Sequence, residues 1–181
     1  MADEHGNGSA AAGAQGEAKQ SFQIAKVYLS DVSFEAPGVP EAFRGEWRPQ
    51  IDVELGSRIR ELEANTYDVI LIVTVTAKND DQTAFLCEVK QGGVFRLEGF
   101  PSADLDRILG AYCPAQLFPF AREAVNDLVV RGGFPQLLLS PVNFESLYLQ
   151  QRQQRQQQQN AASGNGEAVG SAQNSNGEGR R

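Results

Sequence analysis

The sequence predicts an α+β fold: a four-stranded antiparallel sheet followed by C-terminal helices packed on one of its faces. Three observations carry this. From Tyr67 to Ala77, and again from Phe85 to Val89, apolar residues recur at every second position, the side-chain period of a strand. From Ser102 onwards they recur at intervals of three and four, the period of a helix. Clusters of Gly, Pro, Asn and Asp separate the segments, so a β-rich half precedes an α-rich half.

The elements follow in order. Gln23 to Phe34 is strand-like, but Ile24, Val27, Leu29, Val32 and Phe34 do not share one period, which predicts a bulge. Pro37, Gly38 and Pro40 end it. Ile51, Val53 and Leu55 alternate as a second strand. Ser57 to Asn65 fits a helical turn or a bent strand equally well, through Ile59 and Leu62. Tyr67 to Ala77 is the strongest strand, with Val69, Leu71, Val73 and Val75 on one face and Ile70, Ile72, Thr74 and Thr76 on the other. Lys78 to Gln82 turns the chain into a fourth strand, on which Phe85, Cys87, Val89 and Gln91 oppose Leu86, Glu88 and Lys90. Ser102 is placed to cap a helix carrying Leu105, Ile108, Leu109 and Tyr112. Pro114 restarts a second helix at its tolerated first position, and Gly132-Gly133 stops it. Asn143 caps a last helix with Phe144, Leu147 and Tyr148.

Helices on one side leave the other face of Tyr67–Ala77 bare, and the row Phe85, Cys87, Val89 also demands cover. A second subunit is the economical answer. The ends of the chain differ from this middle. Residues 1–19 hold no large apolar side chain after Met1, and 151–181 turn to Gln-rich and then Gly/Asn/Ser-rich sequence. Both are expected to be disordered, with a few helical turns entering the glutamines, and residues 20–150 form the one domain.

Between Gln20 and Gln150 there are 18 acidic and 11 basic residues. This acidic body argues against a nucleic-acid backbone and suits a basic protein partner, or simply solubility. The first residues lack the apolar core of an export signal, and the longest apolar run, Val69–Val73, is five residues against the ~20 of a membrane span. A cytoplasmic protein with reduced cysteines at 87 and 113 is expected. Catalysis has little support. The sole histidine, His5, lies in the N-terminal arm, and Cys113 has Tyr112 and Pro114 as neighbours rather than an activating base. Gly92-Gly93 lacks the Lys-Ser/Thr of a phosphate loop, so no cofactor, metal or ATP turnover is expected.

Two sets remain. Trp47 sits in a loop between Gly45 and Pro49, where a large aromatic either caps the core or lines a groove. Asp31, Glu35, Leu86 and Glu88, taken alone, are ordinary surface residues. A family resemblance gives both sets a meaning. Phe22-Gln23-Ile24, Asp31 to Pro37, Gln82 to Gly93, Leu109 to Pro114, Leu117-Phe118-Pro119 and Phe134 to Phe144 resemble, in type and order, segments of the bacterial export chaperone family SecB. The likeness spans roughly Gln20 to Leu149; the charges of Val39–Arg48 and the Gln-rich tail depart from it. It implies strand for Ser57–Asn65 and a tetramer built as a dimer of dimers. It implies that Trp47, Phe85, Cys87 and Val89 border a groove for unfolded precursor proteins, and that Asp31, Glu35, Leu86 and Glu88 dock the SecA motor ATPase. Two rival readings stay open at this point: a similar chaperone serving a toxin–antitoxin system, and a small-molecule or lipid carrier using the apolar interior.

Overall fold

A computed structural model describes residues 19–164, and the side chains of 19–159. The expected N-terminal arm, up to residue 18, and the end of the tail lie outside the described residues. Four long strands, β1 (Ser21–Glu35), β2 (Gln50–Glu63), β3 (Thr66–Asn79) and β4 (Gln82–Glu98), pair antiparallel in the order β1-β4-β3-β2. Consecutive hairpins join β2, β3 and β4, and β1 closes against β4, which is a Greek-key order. The chain must therefore cross one end of the sheet between β1 and β2, through Ala36–Pro49. Asp80 and Asp81, both with positive φ, make the two-residue β3–β4 turn that matches the twist of the strands.

The edge strands carry most of the irregularities; the central pair β3–β4 has one register slip, at Ala77/Lys78 beside its turn. β1 slips register at Ile24/Lys26 and at Leu29/Asp31, so it holds two bulges, which explains its broken period. β2 runs as one strand through Ser57–Glu63, with a register slip at Glu61/Glu63, and settles the ambiguous segment as strand. Its polar sequence there reflects an edge that is largely exposed.

The helices are α1 (Ser102–Arg107), a π-helical turn (Ile108–Tyr112), α2 (Cys113–Arg131) and α3 (Phe144–Gly164). Pro101, not Ser102, occupies the cap position of α1, and no side chain caps it. Pro114 sits in the first turn of α2, where its missing N–H is tolerated, but α1 and α2 are not separated: the chain runs continuously between them through the π turn. Asn143 caps α3 as expected, accepting from the Ser146 N–H at 3.0 Å. α3 continues through Gln151–Gly164, about four turns, as expected of a helix entering the Gln-rich stretch. Glutamine and arginine are good helix formers, so a capped, anchored helix propagates readily into such sequence.

α2 lies across β3 and β4 on one sheet face. Beneath it Val69, Leu71, Val73, Val75, Phe85, Cys87, Val89 and Phe95 are fully buried, with Leu117, Ala121, Val125 and Val129 of α2. This corrects one expectation. The row Phe85, Cys87, Val89 needs no second subunit, because α2 and the segment after it cover it within one chain. Gln91 shares the row, and its amide donates to the Tyr28 carbonyl at 2.7 Å, so its burial leaves no orphan. The uncovered apolar surface lies elsewhere. Ile70 and Ile72 are half-buried on the opposite face, and Leu29, Val32, Ile51, Val53 and Ile59 are exposed on the helix side of the two edge strands.

On the opposite face Tyr28 reaches across β4 to β3, where its hydroxyl donates to Asp68 at 2.5 Å, and Arg60 of β2 holds the other Asp68 oxygen at 3.0 Å. Burial, then the Asp68 bond, pushes the Tyr28 hydroxyl up to about 12. Gly92 makes the crossing possible, since a Cβ there would fall inside the Tyr28 ring. Gly92→Ala should therefore displace Tyr28 and cost about 1–3 kcal/mol in denaturant titration. Most of that penalty should vanish in a Tyr28→Ala background, and an undiminished penalty would show that the clash lies elsewhere.

Candidate functional site

The pleat of β4 gives the molecule two chemically distinct surfaces. Its helix-side residues are buried at every second position, whereas Leu86, Glu88 and Lys90 are half-buried on the opposite face.

The first surface gathers aromatics where the helix side meets the β1–β2 crossing. Phe34 stacks on Phe85 at 5.6 Å between ring centroids. Phe134 lies 5.0 Å from Phe85, 5.3 Å from Trp47 and 5.2 Å from Phe43. Trp47 and Phe85 are 6.5 Å apart and nearly parallel. Phe85 is the buried floor of this cluster, Trp47 is half-buried, and Phe43 is 51 % exposed. Leu138, 60 % exposed, extends apolar surface along the segment after α2. A Cβ at Gly132 would strike the Phe34 ring, so that glycine admits the aromatic beside the helix end.

Trp47 is held by its backbone. The Asn79 side chain accepts from the Arg48 N–H at 2.8 Å and donates to the Glu46 carbonyl at 3.0 Å, clasping the peptide on both sides of the tryptophan. Sequence reasoning placed Trp47 and Phe85 but missed Asn79, Phe43 and Phe134. Phe134 stands far from both in sequence, and only its pairing with proline hinted at a fixed position. Cys87 and Val89 have no exposed surface and lie under the helix layer, so they support the cluster from below rather than forming its wall. Burial raises the Cys87 thiol to about 11 and the Cys113 thiol to about 12, which leaves both as protonated hydrophobes at neutral pH.

The second surface joins Asp31, Glu35, Leu86 and Glu88. No register slip separates Asp31 from Glu35, so both point outward from β1. Across the sheet the outward rows run Asp31–Lys90–Ile72, Ser33–Glu88–Thr74 and Glu35–Leu86–Thr76. The four residues are thus neighbours on two paired strands. The pairing extends these rows to Glu54 and Asp52 of β2, two same-face carboxylates not singled out from sequence. Lys90 adds a cation at the centre. Its Nζ lies 2.7 Å from Asp31 and 3.1 Å from Glu88, and Thr74 donates to the other Glu88 oxygen at 3.2 Å. The bond from Lys90 holds the Asp31 carboxyl below its usual value. Lys90 in turn is raised, first by Asp31 and then by Glu88.

A family model described as preprotein translocase subunit SecB matches residues 15–155. The chain belongs to the SecB family of protein-export chaperones. It is 73 % identical to the protein-export protein SecB of Halorhodospira halophila over 153 residues, covering 84 % of this chain and 88 % of that one. It is 54 % identical to that of Alkalilimnicola ehrlichii over 176 residues, covering 94 % of each. Among solved structures it resembles a Mycobacterium tuberculosis SecB-like chaperone in complex with an antitoxin peptide, with a TM-score of 0.56 at 19 % identity, covering 67 % of this chain and 90 % of that one. This last likeness concerns the fold. Among the described residues no helix is long and apolar enough to cross a membrane.

Burial of the thiols gives a direct check. In the native protein at pH 8, Cys87 and Cys113 should resist alkylation by iodoacetamide and react only after unfolding. Rapid native labelling of Cys87 would mean that the aromatic cluster opens to its floor.

Proposed function

We propose that this SecB-family protein holds precursor polypeptides unfolded in the cytoplasm, without ATP, and passes them to a SecA-type motor. The observation that carries the reading is the division of β4 into an aromatic end on the helix side and a carboxylate-bearing opposite face. An unfolded chain offers apolar side chains in no fixed order. Trp47, Phe43 and Leu138, over a floor of Phe85 and Phe134, present apolar surfaces that accept many shapes. Cys87 and Val89 contribute by fixing that floor. Chains that fold fast bury their own apolar residues first and escape; slow folders are retained. The opposite face, with Asp31, Glu35, Leu86 and Glu88, suits a partner that brings basic and apolar groups together, as the family's motor does.

Assembly into a homotetramer is part of the same proposal. The exposed aliphatics on the edge strands, with Phe120 and Val130 of α2, form apolar margins that further copies would cover. Native mass spectrometry at micromolar concentration should then read four subunits, and a monomer would overturn the assembly. The carrier reading is not favoured: the apolar pocket where α3 meets the sheet, lined by Leu55, Leu71, Gly110, Phe144 and Tyr148, holds only about 20 Å³, and the larger concavities, about 430 Å³ beside the π turn and about 720 Å³ between β1 and α2, are edged by charged side chains such as Arg107, Glu145, Glu123 and Asp127.

The two surfaces predict separable losses. Titrating a tryptophan-free unfolded polypeptide should change the fluorescence of Trp47, the only tryptophan in the chain. Trp47→Ala should weaken client holding by several-fold and leave motor binding unchanged. Replacing Asp31, Glu35 and Glu88 together by lysine should abolish motor binding at physiological salt while client holding persists. Loss of both activities in either variant would refute the division.

A further inference from the structure

We propose that Lys90 is a built-in counter-charge on the motor-docking face, which sets how strongly that face attracts a basic partner. This rests on the docking reading above and adds to it a residue that opposes docking.

The geometry is specific. Lys90 lies on β4 itself, directly paired with Asp31 of the neighbouring β1 and two positions along from Glu88. Its ammonium contacts both carboxylates and its side chain is only 26 % exposed, so it is packed against the sheet rather than swinging in solvent. Asp31 and Glu88 remain partly exposed, at 56 % and 34 %. They are open to a partner, yet each already has a cation. Glu35 is the member of the set that Lys90 does not touch. Within the set, a basic segment arriving at this face meets the Glu35 carboxylate, which Lys90 leaves alone, and two that Lys90 partly neutralises. It must share those two with Lys90 or push the ammonium aside, and like-charge repulsion acts until it does so. Lys90 therefore weakens docking while keeping Asp31 and Glu88 from repelling each other in the free chaperone.

An exposed charge pair contributes about 0.2–1 kcal/mol, so removing one opposing charge should tighten docking by about 1.4- to five-fold at low salt. The test is a titration of the purified SecA motor against the full chain, wild type and three variants, from low to high salt. Lys90→Gln should bind more tightly than wild type, with a steeper fall as salt rises, because one more uncompensated carboxylate enters the contact. Lys90→Glu should tighten further. Lys90→Arg keeps the charge between Asp31 and Glu88 and should bind as wild type does, which guards against any general effect of altering the position. Client holding should be equal in all four proteins, since Lys90 faces away from the aromatic cluster. Unchanged or weaker binding by Lys90→Gln, while the Asp31/Glu35/Glu88 reversal still abolishes docking, would overturn the counter-charge alone. If the reversal also bound normally, the docking face itself would be misplaced and this inference would fall with it.

Discussion

Everything in this chain depends on the burial of one strand face. The helix-side residues of β3 and β4 are apolar at every second position, and α2 closes over them. Each Val- or Phe-sized side chain buried there is worth about 1.5–3 kcal/mol, whereas an exposed charge pair is worth at most about 1. A register slip of one residue would bring Leu86, Glu88 and Lys90 under the helix and expel Phe85, Cys87 and Val89. The packed face therefore dictates the register, and the register alone decides which residues meet on the other side. The outward face is free to carry charge because stability is supplied elsewhere.

Topology turns that constraint into two surfaces. Because β1 pairs with β4 and not with β2, the β1–β2 segment must cross the sheet end, and it carries Phe43 and Trp47 over Phe85. The same pairing lays Asp31 and Glu35 beside Glu88 and Leu86. One connection thus builds the aromatic cluster and the carboxylate face together, on opposite sides of a single strand. Tyr28, Gly92, Asp68 and Arg60 link all four strands across the outward face.

Central strands were legible in the sequence where edge strands were not. β3 and β4 are packed on the helix side, so their alternation is clean, and the charged turn between them is explicit. β2 faces solvent along much of its length and lost its pattern after Leu55; only family likeness indicated strand there. β1 broke its period twice, and one bulge was anticipated where two occur. Asn143 was readable as a cap because capping is local. Pro114 was readable as a first-turn proline, but the π turn that joins α1 to α2 without a break leaves no local mark. The carboxylate face was recoverable once β1 and β4 were neighbours, but the grip of Lys90 on Asp31 depends on register that no single strand reveals. The aromatic cluster was half legible: Trp47 and Phe85 stood out, while Phe134 and the clasp of Asn79 arise from tertiary approach. Cys87 and Val89 were assigned to the right face at the wrong depth, since alternation tells which side a residue takes and not how thick a layer covers it.

The central claim is that opposite faces of β4 serve different partners without competing. Analytical ultracentrifugation of the chaperone saturated with an unfolded, fluorescently labelled polypeptide, then titrated with SecA, tests it most directly. The account predicts a ternary complex in which label, chaperone and motor sediment together, with motor affinity close to that of the empty chaperone. Stoichiometric displacement of the polypeptide by the motor in the absence of nucleotide would contradict it.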